Sequence, residues 1–232
     1  MSYVVMSDEY PKLCSAIESF GYNIISSDKI LKFNTPEQRH IDMQLLMIEN
    51  NIFLLRECIS LRINLENKGY NIILCENNIK GKYPDCVALN CLYLGGKLYG
   101  REDVIDISVK NYCKKNSIEI VNVKQGYTRC STAVICKNSA ITADNTIYNA
   151  LTKSGVDVLK IESGNIRLDG YDYGFIGGAC TMLDKDTLAF FGDIKTHPNF
   201  REIERFCIIH NVKIINLIEN APLIDIGGAL RI

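Results

Sequence analysis

The chain has 232 residues, of which 47% are hydrophobic and 23% are charged, and its formal net charge is −1. This composition is typical of a folded protein and excludes intrinsic disorder. The charge balance argues against a protein that coats nucleic acid or an anionic membrane, and no apolar stretch approaches the ~20 residues of a membrane helix.

The cysteines and the first residues indicate a compartment. Residues 1–9 lack the basic start of a signal peptide, so we expect a cytoplasmic protein. The ten cysteines show no CxxC pair and no zinc-type spacing, so we expect reduced thiols that mostly pack in the core. Neither a metal nor a cofactor is expected.

An internal repeat divides the chain. The sequence GYNII occurs at 21–25 and again at 69–73, each time after apolar residues at helical spacing. The glycine suits the end of a helix, and the β-branched residues suit a strand. The same pattern continues with helices at 104–117, 144–154 and 198–211, followed by strands at 118–123, 156–161 and 212–218.

Turn residues predict a hairpin before four of these helices. The turns lie at 49–51, 95–96, 137–139 and 184–186. Leading strands are predicted at 40–43, 84–87, 128–131 and 174–177, at intervals of about 45 residues. The repeating unit is therefore two hairpin strands, a helix and a third strand.

The first unit lacks its leading strand, and the end of the chain has a spare one at 223–230. Pairing of this strand with the N-terminal strand at 3–6 would close a ring and remove exposed sheet edges. We predict a single α/β domain over 1–232, a five-bladed propeller of ββαβ units about a pseudo-fivefold axis. The five units cover 223–232 plus 1–30, 40–80, 83–125, 127–165 and 173–222.

Three segments carry residues suited to nucleophilic catalysis. They are His40-Ile41-Asp42, Thr128-Arg129-Cys130-Ser131 and Asp225-Ile226-Gly227-Gly228. With these motifs and five ββαβ units, the chain resembles the penteins, or guanidine-modifying enzymes, over essentially its full length. It looks closest to an uncharacterised bacterial branch, and dimethylarginine dimethylaminohydrolase is the best match of motifs among characterised members. Its ring is opened at a different place, as in a circular permutation.

The resemblance implies a role for each residue of these segments. Cys130 would be the nucleophile, His40 the acid and base, and Asp225 the residue that orients the histidine. The interpretation without a catalytic role is that Cys130 is one of many packing cysteines and that His40 lies at the surface. Candidate substrate-binding residues are Asp42, Asp85, Arg129, Gly177 and Gly178, and lower-ranked acids are Glu219 and Glu162.

The chain departs from the family pattern at two places. Gly177-Gly178 stands where the family supplies an aspartate for the guanidinium, and the acidic motif has Ile226 inserted and Ala229 in place of an aspartate. We expect a hydrolase that cleaves a guanidine or amidine C–N bond of a small molecule. Nucleic-acid and membrane partners are not expected, and a homo-oligomer is left open.

Three alternatives remain. A non-catalytic pentein with a degenerate site would bind a partner instead. An amidinotransferase would pass the amidino group to an amine. A thiol redox sensor would require two exposed neighbouring cysteines, such as Cys130 and Cys86.

Overall fold

A computed structural model describes residues 2–232. The helices are α1 (Pro11–Ser19), α2 (Ile41–Gln44), α3 (Ile59–Asn67), α4 (Ile107–Lys115), α5 (Asn145–Lys153) and α6 (Phe200–Ile209). The strands are β1 (Tyr3–Met6), β2 (Asn23–Ser26), β3 (Leu45–Ile48), β4 (Asn51–Leu54), β5 (Asn71–Leu74), β6 (Leu92–Leu94), β7 (Lys97–Gly100), β8 (Ile120–Asn122), β9 (Thr132–Cys136), β10 (Ser139–Thr142), β11 (Asp157–Lys160), β12 (Ile166–Arg167), β13 (Cys180–Asp184), β14 (Thr187–Phe190), β15 (Lys213–Asn216), β16 (Leu223–Ile224) and β17 (Leu230–Arg231).

The strands form five three-stranded sheets and one two-stranded sheet within the described residues. The three-stranded sheets are β17-β1-β2, β3-β4-β5, β6-β7-β8, β9-β10-β11 and β13-β14-β15, and the small sheet is β12-β16. In each larger sheet, the first two strands are antiparallel and the third is parallel to the second. The repeating α/β unit and its hairpins are therefore confirmed.

Helix α5, which links β10 and β11, has local signals for both of its ends. In α5, the Asp144 side chain accepts hydrogen bonds from the backbone N–H groups of Thr146 and Ile147 at 2.7 and 2.9 Å. Ile147 and Leu151 then face the core, and Gly155 follows with φ +81°. This left-handed backbone ends the helix and returns the chain to the sheet as β11.

The two ends of the chain pair as expected, but the C-terminal strand is shorter than predicted. Strand β17 is antiparallel to β1, with Val5 opposite Leu230. The predicted strand over 223–230 is interrupted because Gly227 and Gly228 have φ of +77° and +71°. A continuous strand is incompatible with this left-handed backbone. Strand β16 therefore pairs separately with β12. The acidic motif at 225–228 forms a loop before β17.

The four predicted leading strands are wrong in position, because none of these four-residue segments forms a strand. Segments 40–43, 84–87, 128–131 and 174–177 lie before strands β3, β6, β9 and β13, which begin later than predicted. Backbone N–H groups bond back within the segments as in a helical turn, from Met43 to His40 at 3.2 Å and from Ser131 to Tyr127 at 2.9 Å. Local backbone hydrogen bonds stabilise these turns, and the alternation of hydrophobic residues does not report such bonds.

The core is built from strand and helix side chains together with most of the cysteines. All ten cysteines are free within residues 2–232, and eight are buried. This agrees with their expected role as small apolar residues. None of the described helices is long and apolar enough to cross a membrane.

Candidate active site

Cys130 lies in the turn before β9 and is bound on both sides by polar groups. Its thiol donates a hydrogen bond of 2.7 Å to Oδ2 of Asp42, and the Asn90 amide donates one of 3.0 Å to Sγ. The Oδ1 of Asn90 also accepts hydrogen bonds from the backbone N–H groups of Arg129 and Cys130, at 2.8 and 3.2 Å. All three side chains are buried. Cys130 therefore does not pack as a simple aliphatic residue.

One hydrogen bond joins the Cys130 thiol to the Asp42 carboxyl, and burial favours the protonated form of each group. Burial raises the pKa of Cys130 well above its ordinary value, and the charges of Asp42 and Asp225 raise it further. Burial also raises the pKa of Asp42, followed by the charge of Asp225. A thiolate at this position consequently needs a positive charge beside it.

His40 stands immediately before α2 and points into the protein. It is 4% exposed, and its Nδ1 lies 4.0 Å from Oδ1 of Asp225. Its Nε2 is buried without a hydrogen-bond partner. Burial lowers the pKa of His40, and the charge of Asp225 opposes that effect. The imidazole is thus neutral at rest but lies beside a carboxylate that favours its protonation.

Asp225 is fixed by the backbone of two segments. Its Oδ2 accepts from the N–H of Phe175 at 2.8 Å, and its Oδ1 accepts from the N–H of Gly227 at 2.9 Å. A Cβ atom at Gly178 would overlap the Asp225 carboxylate, and one at Gly227 would overlap His40. These glycines therefore let the acid and the imidazole approach each other.

The predicted substrate-binding role of Gly177 and Gly178 is not supported by their position. Gly178 adjoins Asp225, and a Cβ at Gly177 would meet the backbone carbonyls of Arg129, Cys130 and Thr132. Both glycines are buried, so they provide close packing between neighbouring turns rather than a surface for a ligand. The absence of a side chain at Gly178 is explained by the room that Asp225 needs, and that at Gly177 by the neighbouring backbone carbonyls.

The other predicted residues divide between the site and the surface. Arg129 is half-buried, donates to the Thr132 carbonyl at 3.1 Å and lines a cavity of about 260 Å³ that also reaches Asp42. Asp85 is exposed and forms an ion pair with Lys80 at 3.3 Å. The exposed acids Glu219 and Glu162 are likewise not among the residues that contact Cys130 or His40.

A buried acid that the sequence analysis missed lies next to this site. Glu37 is 3% exposed, and its Oε1 accepts hydrogen bonds from the hydroxyls of Tyr127 and Tyr171, each at 2.9 Å. Asn34 in turn donates to the Tyr171 hydroxyl at 2.9 Å. We call these four residues the Glu37 cluster. It joins the segment that carries His40 to the segment that carries Cys130.

An aromatic row extends from the Glu37 cluster. Tyr127 stacks on Tyr83 with ring centroids 5.5 Å apart and contacts Phe175 at 5.9 Å.

Hydrophobic periodicity did not predict Glu37 or Asn90 as residues of the site. The sequence did contain one signal that pointed to Glu37. Glu37 lies three residues before His40 and Tyr127 lies three residues before Cys130, which is one helical turn in each case.

The cysteine pair expected of a redox sensor is not exposed. Cys130 and Cys86 are 2% and 1% exposed, and the Cys86 thiol lies 3.8 Å from the Tyr127 hydroxyl. Burial raises the pKa of Cys86 to about 11, which lowers its thiolate fraction. The requirement of two exposed neighbouring thiols is therefore not met.

Each of the five larger sheets contributes to the site through the segment that precedes its first strand. His40 and Asp42 precede β3, Asn90 precedes β6 and Cys130 precedes β9. Phe175, whose N–H binds the acid, precedes β13, and Asp225 itself precedes β17. The candidate site is therefore assembled from five segments that are far apart in sequence.

Solved structures share this fold at low sequence identity. A mutant of DDAH from Pseudomonas aeruginosa in complex with citrulline is 9% identical, and the alignment covers 99% of this chain and 98% of that chain with a TM-score of 0.58. An inosamine-phosphate amidinotransferase from Streptomyces griseus is 11% identical, with coverage of 96% and 78% and a TM-score of 0.58. An amidinotransferase of the saxitoxin pathway from Microseira wollei is 11% identical, with coverage of 92% and 87% and a TM-score of 0.55.

These similarities confirm the expected resemblance to the pentein fold. No curated protein matches the sequence. One family description, "Family of unknown function (DUF6873)", matches residues 4–230 and so covers nearly the whole chain. The chain therefore belongs to this family of unknown function, DUF6873, and has the fold of the guanidine-modifying enzymes.

Proposed function

We propose that the chain is a cysteine-dependent hydrolase that cleaves a guanidine or amidine C–N bond of a small molecule. One observation carries this proposal: the Cys130 thiol donates to a buried carboxylate, Asp42, while Nε2 of His40 and Oδ1 of Asp42 are buried without partners. Unpaired buried polar atoms are costly, and the free oxygen on the carboxyl that accepts from the thiol indicates a place for a ligand. A cation would satisfy the carboxylate and the thiol together.

The residues can perform this reaction in two stages. Binding of the cation beside Asp42 favours ionisation of the Cys130 thiol. The thiol proton passes to His40, and the imidazole becomes charged. The thiolate forms a C–S bond to the amidine carbon, and the C–N bond then breaks as His40 returns the proton to the leaving amine.

Water completes the reaction. His40 takes a proton from water, which attacks the same carbon, and collapse of the adduct breaks the C–S bond. The products are an amine and an amide or urea, and the thiol regains its proton. Asp225 stabilises the charged imidazole throughout, as the carboxylate does in other catalytic triads.

We also propose that the five larger sheets are arranged in a ring. First strands lie against one another at β3 and β6, at β9 and β13, and at β13 and β17. Continued around the molecule, these contacts would set five units about a pseudo-fivefold axis in one domain. The acid, histidine and cysteine segments would then keep the family's cyclic order, with the ring opened at a different place.

Covalent trapping tests the proposal. Chloroacetamidine resembles an amidinium and alkylates thiolates, so we expect it to label Cys130 selectively and to lose this labelling in His40→Ala. Iodoacetamide on the same samples reports simple thiol exposure, and half-buried Cys14 and Cys136 serve as internal references. Equal labelling of many cysteines, or no labelling of Cys130, would contradict the proposal.

A non-catalytic binding protein is the second candidate, and the closed site favours it. Cys130 and His40 are only 2% and 4% exposed. An inert site would leave Cys130 unlabelled by both reagents. An amidinotransferase would give the same adduct as a hydrolase, so release of amine in the absence of an acceptor amine distinguishes those two reactions.

A further inference from the structure

A second cavity, of about 360 Å³, adjoins the turn that carries Cys130. Its wall includes Ser131, the next residue in the chain, and Phe175, whose backbone N–H binds Asp225. Asp42, Cys130 and Asp225 are not among the residues that line it. The cavity is therefore separate from the one that reaches Asp42, although two of its residues are joined to the candidate active site through the backbone.

The wall of this second cavity contains a buried hydroxyl without a partner. Ser131 is 3% exposed, and its Oγ makes no hydrogen bond within residues 2–232. The hydroxyl of Thr142 is close, but it donates to the Ser131 backbone carbonyl at 2.8 Å and leaves Oγ unpaired. Folded proteins pair nearly all buried polar groups, so this hydroxyl indicates that a ligand in the cavity supplies the missing partner.

The charges of the wall favour a cationic ligand. Two carboxylates, Asp144 and Glu162, line the cavity, and its described lining residues include no lysine or arginine. Asp144 also caps α5, because its Oδ1 accepts from the N–H groups of Thr146 and Ile147 and from the Thr146 hydroxyl. A carboxylate thus already occupies the start of this helix, which disfavours an anion there, and Oδ2 of Asp144 takes no part in the cap.

Aromatic and aliphatic side chains form the rest of the wall. Tyr173 and Phe175 meet edge to face at 87°, with ring centroids 6.4 Å apart, and both line the cavity. An aromatic corner of this kind can present a ring face to a cation. Ile161, Ile166 and Ile176 also line the cavity and suit an alkyl group. The wall therefore matches a ligand that combines a positive charge with an apolar body.

We propose that this cavity is a binding site for a small alkylammonium ion, separate from the candidate active site. The ammonium group donates a hydrogen bond to Oγ of Ser131 and is attracted by the carboxylates of Asp144 and Glu162. The alkyl group packs against the isoleucines and the aromatic corner. A carboxylate of the same size is repelled by the two acids, and a neutral alcohol lacks the attraction of charge.

An NMR titration of isotope-labelled protein tests this inference. We expect n-butylammonium chloride to shift the backbone amide signals of Ser131, Thr146 and Phe175, and the shifts should saturate in the millimolar range. Sodium chloride and sodium butyrate should not produce them, and n-butanol should bind more weakly than n-butylammonium. Absence of these shifts with n-butylammonium, or equal affinity for butyrate or n-butanol, would overturn the inference.

Two substitutions in the wall should weaken n-butylammonium binding. Ser131→Ala removes one hydrogen bond, so we expect the dissociation constant to rise roughly fivefold. Glu162→Gln removes an exposed charge, so a rise of roughly threefold is expected. Glu219→Gln is the matched control, because it removes an exposed carboxylate that does not line the cavity and should leave the affinity unchanged. Unchanged affinity in both Ser131→Ala and Glu162→Gln would contradict the proposed site.

Asp42→Asn distinguishes this site from the candidate active site. The substitution removes a carboxylate that does not line the second cavity, so the affinity for n-butylammonium should be retained. Loss of binding in this variant would place the ammonium ion at Asp42 and overturn the inference. The proposed hydrolysis is tested separately: if chloroacetamidine does not label Cys130 while n-butylammonium still binds through Ser131, the hydrolase is wrong and the ammonium site stands.

Discussion

The thiol of Cys130 donates a 2.7 Å hydrogen bond to Oδ2 of Asp42, so the proposed nucleophile and the proposed cation-binding carboxylate are joined at rest. Burial raises the pKa of the thiol most, the charge of Asp42 raises it further, and the hydrogen bond from Asn90 lowers it. The two polar neighbours of Cys130 therefore act on its pKa in opposite directions. Substitution of one or the other should shift this pKa down or up.

Replacement of Asp42 by asparagine should make the free thiol more reactive toward a neutral reagent. Asp42→Asn removes a carboxyl whose charge and hydrogen bond both raise the pKa of Cys130, so that pKa falls and the thiolate fraction rises. We expect alkylation of Cys130 by iodoacetamide at pH 7 to accelerate by roughly fivefold to tenfold. Mass spectrometry of the labelled peptide measures this rate, with Cys136 as reference.

Substitution of Asn90, the other polar neighbour of Cys130, should change the alkylation rate of the thiol in the opposite direction. Asn90→Ala removes a donor to Sγ, so alkylation should slow and move to higher pH. Acceleration in both variants would mean that each substitution merely opens the site, and the opposite effects expected of Asp42 and Asn90 would be wrong.

Stability should depend on pH through Asp42. Its pKa is raised in the folded state, so folding is favoured when the carboxyl is protonated. This contribution is complete below the ordinary pKa of about 3.9 and is lost as the pH rises through the higher folded-state pKa. We therefore expect Asp42→Asn to be more stable than the parent by roughly 1 to 3 kcal/mol at pH 8, with a smaller difference at pH 4.

Urea unfolding at pH 4, 6 and 8 measures this difference. Asp85→Asn is the control, because Asp85 is exposed and paired with Lys80, so its effect should be small across the range. A gain in stability from Asp42→Asn that does not grow with pH would show that the carboxyl is not held in its protonated form.

A methyl group at Gly178 should disturb the acid. Gly178→Ala places Cβ against the Asp225 carboxylate, so we expect a loss of roughly 1 to 3 kcal/mol in the free energy of unfolding. Gly21→Ala is the comparison, since a Cβ there meets nothing within 4 Å and the cost comes only from a φ of +86°. Both losses can be read from urea midpoints.

The two glycine variants should differ at the site itself. Displacement of Asp225 would also reduce labelling of Cys130 by chloroacetamidine in Gly178→Ala, whereas Gly21→Ala should label normally. Equal labelling in the two variants would argue that Asp225 has no part in activating the thiol.

The Glu37 cluster should control access to Cys130. Tyr171→Phe removes the hydrogen bonds that its hydroxyl makes to Glu37 and Asn34. A lost hydrogen bond costs about 1 kcal/mol, so we expect iodoacetamide to reach Cys130 roughly fivefold faster. Tyr112→Phe is a matched control, because its hydroxyl bonds Asn51 and Glu49 at the surface. Equal acceleration in both variants would assign the effect to general loosening.

Much of the fold was predictable because its repeat is local. The GYNII sequence correctly predicted β2 and β5, each of which is the third strand of its sheet. Hairpin turns such as Gly95-Gly96 were also predicted, since positive φ values require glycine there.

The site was less predictable because its geometry is not local. Cys130, His40 and Asp42 could be selected from motifs, but the hydrogen bond from Asn90 joins segments 40 residues apart. The Glu37 carboxylate likewise depends on Tyr171, which is 134 residues away. Sequence periodicity reports burial along one element and does not report which polar atoms meet across elements.

Assembly of the site from five separate segments links its chemistry to complete folding. The acid lies just before β17, which pairs with β1, so it takes its place only when the two ends of the chain have come together. Such long-range contacts form late in folding, because bringing distant segments together costs chain entropy. We therefore expect a nascent, truncated or nicked chain to hold ordinary thiols, and the proposed reactive centre to form only in the completely folded chain.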